Sequence, residues 1–248
     1  MDIYRKTKKV KCADVDMFRR LTFSSLFTWF QESAIEHTTQ IGVGRDKTLD
    51  RGFLWVVTQQ MASINRLPEY DETVTLLSWP GKTLHMFFPR YWEILDTNGS
   101  VLISASSLWV LLNAETRKAV FPEEHGIQID EMRKDYKIPL PPRVRSFPAE
   151  EGLLSQFTVP LSYTDMNGHM NNARYFDVAA DLLEDPSLLA DICMVSTEYT
   201  GELRHGQTMT VHRLLTSDSY QVYGEQPAAE GKKRNRPVFR MKFTLRNC

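Results

Sequence analysis

Three side chains capable of chemistry occupy alternate positions in one short segment of the sequence: Asp165, Asn167 and His169. Two more asparagines, Asn171 and Asn172, directly precede an apolar run with helical spacing. An imidazole and a carboxylate beside a helix N-terminus can stabilise negative charge on a carbonyl oxygen, because the free backbone N–H groups add donors. The segment is therefore a candidate site for chemistry at a carbonyl group.

The residues before this segment predict how its polar side chains are presented. Val159, Leu161 and Tyr163 alternate as in a strand, which predicts that they share its inward face. Continuing by twos places Asp165 and the two polar residues after it on the same face. Burying such groups without partners costs on the order of 1 to 3 kcal/mol each. They therefore either satisfy one another or are held there for chemistry.

The elements after the segment follow a clear order. A helix comes first, with Asn171 or Asn172 as its natural N-cap. Its apolar positions have helical spacing and comprise Tyr175, Phe176, Ala179, Leu182 and Leu183. Strand-like runs then occupy residues 194–203, 208–216, 220–224 and 238–246.

The first half of the chain repeats this order. An offset of 149 positions matches Val10 with Val159 and Asp16 with Asp165. A strand, a helix and four strand-like runs follow one another up to Leu112. The inward face of that helix comprises Leu26, Phe27, Phe30 and Ala34. We therefore predict an α+β tandem in which each half wraps an antiparallel sheet around a long helix.

A charged, proline-rich segment without periodicity separates the two halves. The predicted organisation is a first domain at 1–129, a linker at 130–156 and a second domain at 157–248.

A purely structural role is the alternative interpretation of the polar cluster. Asp165 and Asn167 are typical turn and cap residues, and His169 would be their satisfied partner. The first half has Phe18 and Arg20 at the positions equivalent to Asn167 and His169. A turn that needed the cluster would need it in both halves, so we favour one polar site in the second half.

Composition limits the classes of protein to consider. Thirty basic and thirty-one acidic residues give a formal charge of −1, which does not indicate a nucleic-acid binder. Three widely spaced cysteines fit neither a disulfide framework nor a zinc site and favour a reducing cytoplasm. No apolar run approaches the ~18 residues of a membrane span, and no targeting or anchoring signal is expected.

The same residues resemble the acyl-[acyl-carrier-protein] thioesterases of plant plastids and bacteria. That family has an Asp-x-Asn-x-His-x-Asn-Asn motif, present here from Asp165 to Asn172, with Tyr175 following. It also has a downstream Glu-Tyr-x-x-Glu segment, here "EYTGE" with Glu198 and Glu202. In the first half, "INRLPEYDETVTLLSWPG" and "QESAIEHTTQIGVG" are similar to the family as well. The resemblance covers nearly the whole chain.

The resemblance implies a tandem, or double, hot-dog fold with the acyl-chain pocket mostly in the N-terminal half. The catalytic set it implies is Asp165, Asn167, His169 and Glu202. Plant members have a cysteine directly after the glutamate, but Leu203 stands here, which excludes a cysteine acyl-enzyme at that position. Cys193 has no base paired with it in the sequence and is expected to be a small buried hydrophobe.

The expected mechanism is direct hydrolysis of a fatty acyl thioester, which ends chain elongation. Glu202 would be the general base on a water or a nucleophile through an anhydride, and both options stay open. Asn167 and His169 would position the water or polarise the carbonyl, and Asp165 would orient them. The six histidines have no ligand spacing, so no metal and no cofactor are expected.

The expected partner is an acyl-acyl-carrier protein, whose 4′-phosphopantetheine thioester is the substrate. Because that carrier is acidic, basic residues near the pocket would steer its docking. The candidates are Lys8, Lys9, Lys11, Arg133, Lys134, Lys137, Arg143, Arg145 and the run from Lys232 to Arg236.

Two other functions fit the sequence. One is a hot-dog thioesterase that acts mainly on acyl-coenzyme A. The other is a non-catalytic acyl-binding regulator, against which the four-residue catalytic set argues. A monomer is feasible, and a homodimer is the other expected assembly. The sequence does not predict the preferred chain length.

Overall fold

The computed structural model describes residues 3–228 and 234–246 and has two compact units, Met1–Pro141 and Pro142–Cys248. The first strand of the second unit, Leu153–Thr158, begins inside the predicted linker, which includes its residues 153–156. Local pattern did not reveal this strand, because Leu153 and Leu154 are both exposed and break the alternation of inward and outward side chains.

The first unit contains one helix and a five-stranded antiparallel sheet. In chain order the elements are β1 (Tyr4–Lys9), α1 (Phe23–Gln40), β2 (Phe53–Ile64), β3 (Thr73–Pro80), β4 (Phe88–Leu95) and β5 (Val101–Asn113). The strands lie in the sheet in the order β1-β3-β4-β5-β2. The predicted order of a strand, a helix and four strands is confirmed.

Helix α1 packs against one face of its sheet through aromatic and polar contacts. The ring of Phe30 stacks on Trp92 of β4, with the centroids 5.0 Å apart. The indole N–H of Trp92 donates to the Ser33 hydroxyl at 2.9 Å. The buried aromatic face of the sheet is therefore covered by the helix and bonded to it.

The second unit has the same kind of sheet. Its elements are β6 (Leu153–Thr158), α2 (Arg174–Asp181), β7 (Ile192–Tyr199), β8 (Thr208–Leu215), β9 (Ser219–Gln226) and β10 (Arg236–Leu245). The strands lie in the sheet in the order β7-β10-β9-β8-β6. Tyr175 of α2 packs on Phe239 with ring centroids 4.8 Å apart, and the Tyr220 hydroxyl donates to the Ala179 carbonyl.

Within the described parts of the chain, neither helix combines the length and the apolar character that a membrane span requires.

Two expectations about the second unit are wrong. The strand predicted to run through Tyr163 ends at Thr158, and residues 161–163 form a turn of 3-10 helix. Pro160 between them has no N–H to donate to a sheet. The predicted long helix has only eight residues and ends at Asp181. Pro186 disfavours helical backbone at Asp185, which caps the next short turn instead.

The backbone supports the internal repeat at the predicted offset. Val10 donates its N–H to Glu72, and its counterpart Val159 donates to Gln207, both at 2.9 Å. A 3-10 turn follows in each unit, at Cys12–Asp14 and Leu161–Tyr163. The two units therefore share the whole connection from first strand to helix.

The N-cap of α1 generates a stability prediction. The Thr22 hydroxyl accepts the N–H of Ser25 at 3.1 Å, so Thr22→Ala should lower the free energy of unfolding by about 1 kcal/mol. Urea unfolding followed by tryptophan fluorescence measures this, because all five tryptophans lie in the first unit. Thr28→Ala is the control: its hydroxyl bonds only within the helix, so the change should stay within about 0.5 kcal/mol. Equal losses in both variants would contradict the capping role.

Candidate active site

The polar cluster begins with a tight turn that the Asp165 side chain closes. Its Oδ1 accepts the backbone N–H of Asn167 at 2.8 Å and that of His169 at 3.2 Å. Gly168 supplies the positive φ of 73° that the turn requires. Asp165 therefore acts on the backbone and fixes the positions of the two residues expected to do chemistry.

The first unit contains the same turn with different side chains. Asp16 Oδ1 accepts the backbone N–H groups of Phe18 and Arg20, each at 2.9 Å. Arg19 adopts a φ of 64° at the place of Gly168. The aspartate is thus a turn residue in both units, as the structural interpretation holds, while the residues after it differ.

A second segment lies against this turn and brings in the predicted glutamate. Met170 donates its N–H to the Leu203 carbonyl at 2.7 Å, and His169 forms a bridge with Arg204. As a result, His169 Nε2 and Glu202 Oε2 are 3.4 Å apart. The Glu202 side chain is 41% exposed and that of His169 is 16% exposed, so a small polar molecule has access to the carboxylate.

The first unit lacks this pair although it has the backbone for it. Leu21 donates to Pro68 as Met170 donates to Leu203, which aligns Leu67 with Glu202. Arg20 stands in the place of His169 and binds Asp16 instead, at 3.2 Å. Only the second unit therefore combines an imidazole with a carboxylate at this point.

The remaining predicted residues are placed less directly. Asn167 is exposed, and its side chain has no hydrogen bond to any described residue. The Asn171 side chain accepts the N–H of Ala173 at 2.9 Å, and its carbonyl accepts that of Arg174, where α2 begins. The N-cap residue of α2 is Ala173, which has no side-chain cap, so the predicted asparagine N-cap is wrong. Asn171 instead holds the turn before the helix, and two of the N–H groups expected to face the site are already bonded.

Two residues that the predicted catalytic set omits lie next to Glu202. Burial, followed by the charge of Glu202, raises the pKa of Tyr175 above its usual value, while Arg236 opposes this shift. Arg236 Nη2 also donates to the Glu202 carbonyl at 3.4 Å. The sequence indicated Arg236 only as a docking residue, because its contact with Glu202 joins distant segments. Of the same basic run, Lys232 and Lys233 lie outside the described residues.

In the part of the chain that the structure describes, no thiol lies beside the glutamate. Leu203 is fully buried, and its carbonyl is bonded to Met170. Cys193 is half-buried rather than buried as expected, and its Sγ lies 3.5 Å from the Thr244 carbonyl. Among the described residues, no group of three or more His, Cys, Asp or Glu side chains is arranged to hold a metal ion.

Comparison with known proteins agrees with this arrangement. The sequence profile of the acyl-ACP thioesterase N-terminal domain matches residues 1–126, and that of the C-terminal domain matches residues 147–237. The chain belongs to the acyl-ACP thioesterase family.

Individual members of the acyl-ACP thioesterase family are similar to this chain over most of its length. An acyl-[acyl-carrier-protein] hydrolase from Cuphea viscosissima chloroplasts is 26% identical over 90% of the chain. The match spans 58% of the Cuphea protein, so the chain corresponds to little more than half of that relative's length.

Solved structures of the family share the fold. An acyl-ACP thioesterase from Bacteroides thetaiotaomicron has a TM-score of 0.84 at 21% identity, with 98% of each chain covered. The 12:0-ACP thioesterase from Umbellularia californica has a TM-score of 0.79 at 20% identity, with 98% of this chain and 97% of that chain covered. The predicted α+β double hot-dog fold is confirmed.

The two aspartate turns generate a paired prediction. Asp165→Ala leaves two N–H groups without their acceptor, which should cost about 1 to 2 kcal/mol locally and speed amide exchange roughly 5- to 30-fold. Hydrogen–deuterium exchange of the peptides around Asn167 and Phe18 measures this. Asp16→Ala should accelerate amide exchange only in the turn around Phe18, so each variant is the other's control. Unchanged exchange in either turn would contradict the aspartate's role there.

Proposed function

We propose that this protein hydrolyses the thioester of fatty acyl-acyl-carrier protein, releasing a free fatty acid and ending chain elongation. The observation that carries this proposal is the contact between His169 and Glu202, 3.4 Å apart. The first unit has neither residue at the equivalent positions, which are Arg20 and Leu67. Membership of the acyl-ACP thioesterase family supports the same reaction.

In this mechanism, Glu202 removes a proton from a water that attacks the thioester carbonyl. The Nε2–H of His169 donates to one carboxylate oxygen and leaves the other for the water. The tetrahedral intermediate expels the pantetheine thiolate, which takes the proton from Glu202. The exposed amide of Asn167 donates to the water or to the oxyanion. Asp165 holds Asn167 and His169 in place through their backbone N–H groups. Attack by Glu202 itself, through an anhydride, is the alternative route.

The carrier-protein substrate is favoured over acyl-coenzyme A by the relatives, since the Cuphea and Umbellularia proteins are both named for acyl-carrier-protein substrates. A non-catalytic regulator would have no need for a histidine and a carboxylate in contact. The acyl chain is proposed to bind in the first unit. A cytoplasmic location and a homodimer remain predictions.

Ion pairs within the chain reduce the number of basic residues that are available to dock the carrier. Lys9 already pairs with Asp71 at 2.8 Å. Arg133 pairs with Glu93 at 2.7 Å and with Asp135 at 2.9 Å. These two cations are therefore weaker candidates for an acidic partner than the other basic residues near them.

Replacing the carboxylate tests the reaction. Glu202→Gln should lower kcat for acyl-carrier-protein hydrolysis by about 10²- to 10⁴-fold, because an amide cannot accept the proton. Thiol release from carrier esters of graded chain length, beside matching coenzyme A esters, measures the rate and the substrate class.

Glu198→Gln is the matched control, since Glu198 lies in the same segment and pairs with Arg240 at 3.6 Å. It should retain most of the activity. Equal rates for wild type and Glu202→Gln would remove Glu202 from the mechanism. Acyl binding without any turnover in wild type would favour the regulator, and faster turnover of the coenzyme A esters would favour the alternative substrate.

A further inference from the structure

The first unit contains a small cavity where the C-terminal half of α1 faces the sheet. Its volume is about 60 Å³, which corresponds to roughly two water-sized groups. A space of this size has room for the end of a chain rather than for its whole length. Its lining is mainly apolar and includes Ala34, Trp55, Phe88, Arg90, Trp109 and Ile129.

Arg90 introduces a buried cation into this lining. Its Nη1 donates to the Ser78 hydroxyl at 3.0 Å and to His37 Nδ1 at 3.1 Å. Because a guanidinium only donates, His37 Nδ1 must be the acceptor, and His37 is therefore neutral with its proton on Nε2. Among the described residues, Arg90 Nε and Nη2 have no acceptor and no carboxylate pairs with the guanidinium.

Burial lowers the pKa of Arg90 to about 9, so the side chain is still charged at neutral pH. Arg90 is only 5% exposed, and a buried charge without a counter-ion is strongly unfavourable. The neutral partners at Ser78 and His37 satisfy one nitrogen of the guanidinium and leave its charge uncompensated.

One of the lining residues carries a second unsatisfied donor. The indole Nε1 of Trp55 is buried and has no hydrogen-bond partner in the described part of the chain. The neighbouring Trp109 differs, since its indole N–H donates to the Ser107 hydroxyl at 2.7 Å. Two residues that line this apolar cavity therefore carry donors without an acceptor, and an acceptor on a bound ligand would complete them.

We propose that this cavity receives the oxygen-bearing end of an acyl chain, with a terminal carboxylate as the best match, and that Arg90 and Trp55 select for it. The inference rests on the proposed thioesterase function and names its substrate class. A carboxylate would pair with the free edge of the guanidinium and accept the Trp55 N–H. A terminal hydroxyl would accept the same donors without the charge.

The test compares carrier esters of one chain length that end in a methyl, a hydroxyl or a carboxylate group. Wild type should hydrolyse the carboxylate-ended ester with a kcat/KM at least equal to that of the methyl-ended ester. Arg90→Met should lower this carboxylate-to-methyl ratio about 10- to 100-fold, and Trp55→Phe about 5-fold. Trp109→Phe is the matched control and should keep the wild-type ratio, because its N–H is already bonded.

A binding measurement separates this inference from the proposed function. Octanoate, below its micellar concentration, should raise the Tm of wild type and of Trp109→Phe more than that of Trp55→Phe, whereas octylammonium should not raise it. If wild type hydrolyses no ester, the thioesterase proposal fails and the Tm series still decides on the cavity. The inference would be overturned if wild type hydrolyses the carboxylate-ended ester far more slowly than the methyl-ended one. It would also be overturned if Trp55→Phe and Trp109→Phe change the carboxylate-to-methyl ratio equally. Neither outcome requires Arg90→Met to fold.

Discussion

One aspartate oxygen that accepts two backbone N–H groups fixes the path of the chain before each helix. Asp16 and Asp165 make these bonds in the two units, so one carboxylate holds the backbone of each turn. The residues two and four positions later are left free to vary. In the second unit, an asparagine and a histidine occupy these two positions.

The same position can serve stability or chemistry according to its partner. In the first unit, Arg20 closes on Asp16 in a pair whose side chains are only 16% and 17% exposed. In the second unit, the shorter His169 contacts Glu202 on the neighbouring segment instead. The exchange gives up an ion pair that supports the turn and gains a carboxylate that reaches solvent. A reactive pair thus costs the fold little, because the turn keeps both of its backbone bonds.

Local sequence pattern predicted the features that depend on nearby residues. The repeat and the order of the elements depend on spacing and turn chemistry, and the family resemblance indicated Glu202. The prediction of a strand through Pro160 was wrong. The apolar alternation continues past this residue, but proline has no N–H to donate to a sheet. The contact of Arg236 with Glu202 was missed because it joins residues that only the fold brings together. Arg90 had a local signal, since it alternates with Phe88 and Trp92 in one strand.

The fold itself does not require a cation at Arg90. In the first unit, Arg90 lies opposite Pro80, the last residue of β3. In the second unit, Tyr220 lies opposite Leu215, the last residue of β8, and so takes the matching place. Its hydroxyl donates to the Ala179 carbonyl of the adjoining helix, which leaves no donor unsatisfied and no charge buried. A neutral side chain therefore fills this position in an equivalent sheet. Since the charge of Arg90 is unfavourable there and unnecessary for packing, its natural complement is an acceptor that enters the cavity from outside.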